Sequence, residues 1–212
     1  MKKIIILSGD PNSINSEIIF KSWKQINNSI RKKIYLISNY KLLNEQFKRL
    51  KYSLKIEKVK KINKISKKNN LKLIDINLNF RDPFKISKKT ASRFVISSLD
   101  LAHKEAKKKD VAGIINCAID KKLLNKKQNG VTEYLAAKCG IKDNSHVMLI
   151  HNKKLAISPI TTHLDLKNVS KKIKKSIIIK KIKTIDSWFR KKFKIKPNIG
   201  VLGLNPHNAE LR

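Results

Sequence analysis

Short apolar runs alternate with stretches of helical periodicity along this chain, and that alternation limits the folds open to it. Residues 3–8 (KIIILS), 33–38 (KIYLIS) and 111–116 (VAGIIN) are too short for buried helices and rich in β-branched residues, so they read as buried strands. Residues 56–59 and 71–76 are two further strand candidates, separated by the polar tract KKINKISKKNN. Between them lie helical patterns. One is capped by Asn15 or Ser16 and runs to Lys24, with Ile18, Ile19 and Trp23 as its apolar face. Another spans 42–50, with Leu43, Phe47 and Leu50 at helical spacing. The clearest covers 90–108, where Phe94, Leu99, Leu101, Ala102 and Ala106 line one face and lysines fill the end. Strands alternating with helices argue for a layered α/β/α fold with a mostly parallel sheet.

The pattern continues, less sharply, toward the C-terminus. Residues 132–139 read as a helix stopped by Gly140. Residues 146–151 and 154–157 read as two strands joined by a turn at Asn152-Lys153. A helix beginning at Asn168 or Ser170 and another over 181–192 precede a last strand at 199–204, which ends in the breaker Asn205-Pro206-His207. The chain reads as one α/β region over 1–212, with a candidate sub-domain boundary near 125–130, where Asn129-Gly130 marks a turn.

Charge is the most unusual compositional feature: 50 basic against 15 acidic residues, a net charge of +35. A basic nucleic-acid-binding module is the obvious rival reading. Only six of the basic residues are Arg, the preferred reader of base edges, and the lysines are spread over the whole chain. Ile and Asn are abundant as well. Lys, Ile and Asn share A/T-rich codons, so a solvated lysine surface is the reading adopted, and no specific nucleic-acid partner is expected. No apolar run approaches the roughly 18 residues of a membrane span. The opening MKKIIILSGDP lacks the long apolar region of a signal peptide and reads as the first strand. Cys117 and Cys139 show no disulfide framework or metal spacing, and a cytoplasmic, reducing setting is the simplest.

Neither a G-x-G-x-x-G turn nor a G-x-x-x-x-G-K-[ST] loop is present, so a dinucleotide or phosphate would need some other device. Among five histidines, His163 and His207 stand apart. Each follows an apolar run (LAISPITTH, IGVLGLNPH) and is flanked by hydroxyl, amide or turn residues. Both are expected at the carboxyl edge of a sheet, where ligands bind, and imidazole is a common ligand for a divalent cation. Spacing alone leaves structural histidines as the alternative.

Five segments, in order along the chain, resemble the 4-hydroxythreonine-4-phosphate dehydrogenase family of pyridoxal phosphate biosynthesis. TTHLDL (161–166) is similar to the family's T-T-H-x-x-L, and GLNPHNAE (203–210) to its L-N-P-H-A-G-E. GVTEYLA (130–136) stands where the family has G-H-T-E, LSGDPNSINSEI (7–18) where it has G-D-P-A-G-I-G-P-E-I, and IINCAIDKKLLN (114–125) where it has I-T-G-P-x-x-K-x-x-x-N.

The resemblance implies an isocitrate/isopropylmalate dehydrogenase-like fold and a homodimer with its metal site between subunits. It implies NAD or NADP as cofactor, a divalent cation (Zn, Mg, Mn or Co) on His163 and His207, and a phosphorylated amino-acid substrate touched by Thr132. Family members continue beyond the L-N-P-H loop with a third metal-binding histidine. The chain therefore resembles their N-terminal two thirds, and weak cation binding without measurable turnover is expected of these 212 residues alone. The resemblance assigns no residue to the cofactor and no catalytic acid or base. Val131 replaces a substrate-binding histidine of the family. Ser13, Asn15 and Ser16 replace Gly, Gly and Pro, with backbone strain expected wherever a positive φ is needed, and Cys117-Ala118 replaces Gly-Pro. These departures keep a diverged, non-catalytic homologue as the alternative.

Overall fold

The computed structural model describes residues 2–62, 69–124, 130–141, 143, 145–162, 164–205 and 207. It divides into two compact units, Met1–Leu135 and Ala136–Arg212. The candidate boundary near 125–130 falls mostly on residues 125–129, outside the described set.

The first unit is built on five strands: β1 (Lys3–Leu7), β2 (Ile34–Ser38), β3 (Ile56–Lys58), β4 (Leu71–Asp75) and β5 (Val111–Asn116). They form one sheet in the order β3-β4-β2-β1-β5, and every pairing is parallel. The helices are α1 (Asn15–Gln25), the single turn α2 (Asn28–Arg31), α3 (Tyr40–Arg49) and α4 (Lys88–Ala106). A 3-10 turn at Lys121–Leu123 leads toward α5 (Val131–Lys138).

Strand alternation sorts the core into two layers. Ile5, Leu7, Tyr35, Ile37 and Ile74 pack with Phe94, Val95, Leu99 and Ala102 of α4. Ile34, Leu36, Leu71 and Leu73 pack with Ile19, Phe20 and Trp23 of α1 and with Leu43 and Phe47 of α3. Both faces are covered over the central strands, which is why β1 and β2 read as continuous apolar runs, whereas the edge strand β5 is mostly half-buried or exposed, contrary to the buried strand expected there. The α/β/α expectation is met.

Details differ from the sequence reading. Ile18 is 41% exposed, and Phe20 takes its place on the buried face of α1. The expected cap at Asn15 or Ser16 is not met: the N-cap position of α1 is Ile14, whose side chain makes no capping hydrogen bond, and Asn15 already lies inside the helix. The polar tract after β3 contributes buried Ile62 to the core, while residues 63–68 lie outside the described set. Lys72 departs from the solvated lysines: it sits in the middle of β4 at 1% exposure, its Nζ donating to the Lys32 carbonyl and lying 4.2 Å from the Tyr35 ring centroid. Burial lowers its pKa.

The second unit contains β6 (Ile150–His151) and β7 (Ala156–Ile157), an antiparallel pair of two residues each. The Asn152 carboxamide oxygen accepts from the Lys154 and Leu155 amides and shapes the turn between them. The remaining elements are α6 (Leu166–Lys172) and α7 (Lys175–Phe193). Helix α7 starts six residues earlier than its sequence pattern suggested, and its side chains hold Asp143, Ser145 and His146. Lys180 pairs with Asp143 at 3.1 Å, Thr184 Oγ1 donates to the Ser145 carbonyl, and Lys181 Nζ donates to the His146 carbonyl. Helix α5 ends as expected: Gly140 has φ +74°, and the Gly140 and Ile141 amides donate to the Ala137 and Ala136 carbonyls.

The expected last strand is a correction. Residues 199–204 form no strand, and Val201, Leu202 and Leu204 are exposed. Two glycines interrupt the run, and an apolar alternation makes a strand only where a neighbouring strand accepts its hydrogen bonds. No described strand does so.

Candidate functional site

A parallel sheet opens a crevice at its carboxyl edge where successive connections leave in opposite directions. Here that point lies between β1 and β5: the chain leaves β1 for β2 on one side, and returns from β4 to β5 on the other. Two loops meet there, residues 8–14 after β1 and 117–120 after β5. Gly9 marks how closely they approach. It has φ +72°, and a Cβ added to it would lie 2.4 Å from the Ala118 carbonyl oxygen and 3.0 Å from that of Cys117. Only glycine fits such a position.

Amide side chains hold this edge together. Asn15 donates Nδ2 to the Ala118 carbonyl at 2.7 Å, and its Oδ1 accepts from the Ala118 amide at 3.2 Å. Asn12 does the same with Ile86 just before α4, both contacts being 2.8 Å. Asn39 caps α3 through the Leu42 amide and donates to the Ile76 carbonyl. Gln46 is buried, and its Nε2 bridges the Pro11 and Pro83 carbonyls. The strain expected at Ser13, Asn15 and Ser16 is absent: among the described residues the non-glycine positions with positive φ are Lys51 and Lys194. The sequence reading gave Asn15 only a capping role and assigned no contact to Asn12 or Asn39. Their signal was position, since Asn12, Asn15 and Asn39 all lie just beyond a strand run.

The same packing bears on a dinucleotide. In the common arrangement the pyrophosphate rests on the first helix N-terminus, reached through a glycine-rich turn. Here Asn15 and Ser16 are buried at the start of α1, and the cavity lined by Ser8, Asp10, Ser13, Ser16 and Ser38 measures about 10 Å³. That is room for about one water molecule. The residues of this loop do not fit a pyrophosphate. Cys117, half-buried beside the loop, has its thiol pKa raised by burial and is held in the unreactive form.

Thr132 lies in the first turn of α5, half-buried. The segment carrying it is tied to α4 at two points: Ser92 Oγ donates to the Leu123 carbonyl at 2.6 Å, and the Tyr134 hydroxyl donates to Asp100 Oδ1 at 2.6 Å. Val131 packs against the α4 side of the core, so it has an apolar role where a histidine would offer a polar one. His163 lies outside the described residues. His207 sits exposed in a turn of the second unit and follows no strand, contrary to the expected strand-edge placement. Its accessible imidazole is the right donor type for a divalent cation. No group of three or more His, Cys, Asp or Glu side chains that could hold a metal occurs among the described residues. The second unit's other described histidines have different settings: His151 packs against Trp188 and Phe193, and the His146 Nδ1 is buried. No described helix is long and apolar enough to cross a membrane.

Comparison with known proteins places this arrangement in a family. The family profile of the pyridoxal phosphate biosynthetic protein PdxA matches residues 30–211. A 4-hydroxythreonine-4-phosphate dehydrogenase of Aquifex aeolicus is 34% identical over 99% of this chain and 65% of its own length. A relative of the same name from a Sulfurihydrogenibium species is 35% identical over 99% of this chain and 65% of its own. Among solved structures, the Klebsiella pneumoniae 4-hydroxythreonine-4-phosphate dehydrogenase superposes with a TM-score of 0.85 at 23% identity, covering 99% of this chain and 66% of that one. The Burkholderia phymatum protein gives 0.81 at 22% identity, covering 99% and 64%. The chain thus spans about two thirds of the length of the proteins it matches. Since the profile takes in both histidine segments and nearly all the chain beyond β1 and α1, the chain belongs to the PdxA family of pyridoxal phosphate biosynthetic proteins.

Proposed function

We propose that this chain serves the reaction for which its relatives are named, as an NAD(P)-dependent dehydrogenase acting on 4-phosphohydroxy-L-threonine. A nicotinamide, when bound, would supply the hydride acceptor for the carbon bearing the secondary hydroxyl, whose proton is released. The resulting β-keto acid loses carbon dioxide to give 3-amino-2-oxopropyl phosphate. The observation that carries this reading is 34% identity along 99% of the chain to a dehydrogenase of that name.

The roles of the chain's own residues follow from their chemistry. Thr132, at the start of α5, presents a hydroxyl that can donate to or accept from the substrate. The ties from Ser92 and Asp100 fix the segment that bears it. His163 and His207 would hold a divalent cation of the zinc, magnesium, manganese or cobalt class, which when bound lowers the pKa of a coordinated hydroxyl. No residue is assigned to the nicotinamide, and the β1–α1 loop is too filled to take its pyrophosphate.

The proposed partner is a second copy of the chain. The second unit shows Ile150, Leu155, Ile157, Ile179, Trp188 and Phe193 to solvent, each at least 41% exposed. Trp188, Phe189 and Phe193 also form an edge-on aromatic group. Such apolar surface favours an interface.

A second reading, a non-catalytic homologue, is favoured by one observation: Val131 is an apolar packing residue where the family has a polar one. The test is to purify the 212-residue chain and follow NADH or NADPH formation with 4-phosphohydroxy-L-threonine and each cation in turn. Turnover lost in His163→Ala supports the enzyme and overturns the expectation that these 212 residues alone are inactive, while cation binding without turnover fits a segment of such a dehydrogenase. A folded chain that binds neither cation nor substrate supports the second reading.

A further inference from the structure

We infer that Asn15 and Ala118 form an interdependent pair that holds the end of β5 against the loop after β1, with Asn15 as the positioning residue. This goes beyond the dehydrogenase reading and does not require it. The two residues are 103 positions apart, yet one carboxamide meets both polar atoms of one peptide unit: Nδ2 to the Ala118 carbonyl at 2.7 Å, Oδ1 from the Ala118 amide at 3.2 Å. The Asp10 amide donates to the same carbonyl at 2.9 Å, so that oxygen is shared between the loop's backbone and its side chain. Gly9 passes between them, with its notional Cβ 2.6 Å from the Asn15 Nδ2. The side chain therefore replaces one rung of sheet hydrogen bonding just where β1 and β5 have ended.

Dependence runs both ways, but unequally. Asn15 is 2% exposed, so its Oδ1 cannot turn to water if the Ala118 amide is removed. Ala118 lies at the surface, and its amide can reach water if the carboxamide is removed. Proline at 118 therefore leaves a buried acceptor without a donor, and only while Asn15 is present. In the motifs that this chain resembles, position 15 is Gly and position 118 is Pro. The two departures answer each other: the extra carbonyl oxygen of Asn15 meets the amide hydrogen that a proline would lack.

The test is a double-mutant cycle on the full 212-residue chain, read by urea denaturation. Ala118→Pro should lower the midpoint clearly in the wild-type background and by less than half as much in Asn15→Gly. Equal shifts in the two backgrounds would overturn the inference. Should Ala118→Pro fail to fold, amide exchange decides. In the wild-type chain the Ala118 amide should be protected by Asn15. Asn15→Leu, similar in size, should accelerate its exchange at least tenfold while the Leu36 amide is unchanged. Equal Ala118 exchange in the wild type and the Leu variant would show that the carboxamide does not position this peptide.

Discussion

The two units treat apolar residues in opposite ways. Every residue of the two core clusters belongs to Met1–Leu135, where one sheet is covered on both faces by helices of the same unit. In Ala136–Arg212, α7 has no buried residue although eight of its nineteen are Ile, Trp or Phe. Leu202 is 92% exposed. An apolar pattern states which residues prefer to leave water. It does not state what will cover them. The first unit supplies its own cover; the second leaves much of its apolar surface exposed.

The largest expected effect tests the self-covered unit. Leu99, fully buried on α4 against the sheet, should cost about 2–5 kcal/mol of unfolding free energy when replaced by Ala. Trp188→Ala in the second unit should change the unfolding free energy of the monomer by about 0.5 kcal/mol or less, yet shift a concentration-dependent association measured by light scattering. An equal loss of monomer stability in both variants would erase the contrast.

Gly9→Ala comes next. A left-handed φ costs an L-residue about 1–2 kcal/mol, and the new methyl would also meet the Ala118 carbonyl. The expected loss is about 2 kcal/mol or more, with amide exchange accelerated first at Asp10 and Ala118. A neutral result would mean that the crevice between β1 and β5 is looser than its hydrogen bonds imply.

A smaller effect comes from Lys72. Its pKa is lowered by burial, with Glu57 opposing and Lys3 adding to the shift. The folded state therefore binds fewer protons than the unfolded state between the lowered value and the ordinary one near 10.5. Below that window the buried charge is present in the folded chain and weakens it. Stability from this residue rises as pH climbs through the window. Lys72→Met should thus stabilise by about 1 kcal/mol near neutral pH, with the gain shrinking as pH climbs toward the ordinary value of 10.5. Thermal unfolding at pH 7 and pH 10 checks this, and a gain that grows with pH would contradict it.

How much of this was legible in the sequence follows the same division. Residues 3–8 and 33–38 declared themselves as strands because both faces of the sheet are covered there, whereas 111–116 has a strand's apolar run at the sheet edge, where Ile115 stays 54% exposed. Phe94, Leu99 and Ala102 declared α4 because a one-sided helix repeats at helical spacing. Residues 199–204 misled because they carry a strand's composition without a partner strand, and no local pattern reports the absence of a neighbour. The carboxyl-edge ties escaped because each joins residues far apart in sequence: Asn12 to Ile86, Asn15 to Ala118, Gln46 to Pro83. Thr132 was proposed from motif alone, and His163 and His207 from context and motif together, which indicate donor chemistry and not geometry.

The smallest expected change in stability is at His207, and it bears most directly on function. The imidazole is exposed, in a turn of the second unit, outside both core clusters. Replacement by Ala should leave the urea midpoint within error, since surface changes of this kind stay within about 0.5 kcal/mol. Calorimetric titration of the 212-residue chain with Zn²⁺ reads the imidazole's part in cation binding directly. His207→Ala and His163→Ala should each reduce affinity at least tenfold, and the double variant little further, because a shared ligand set is not additive. Independent, additive losses would mean two separate surface histidines that each catch a cation. That result would leave the family's motifs in this chain without the joint site proposed for them.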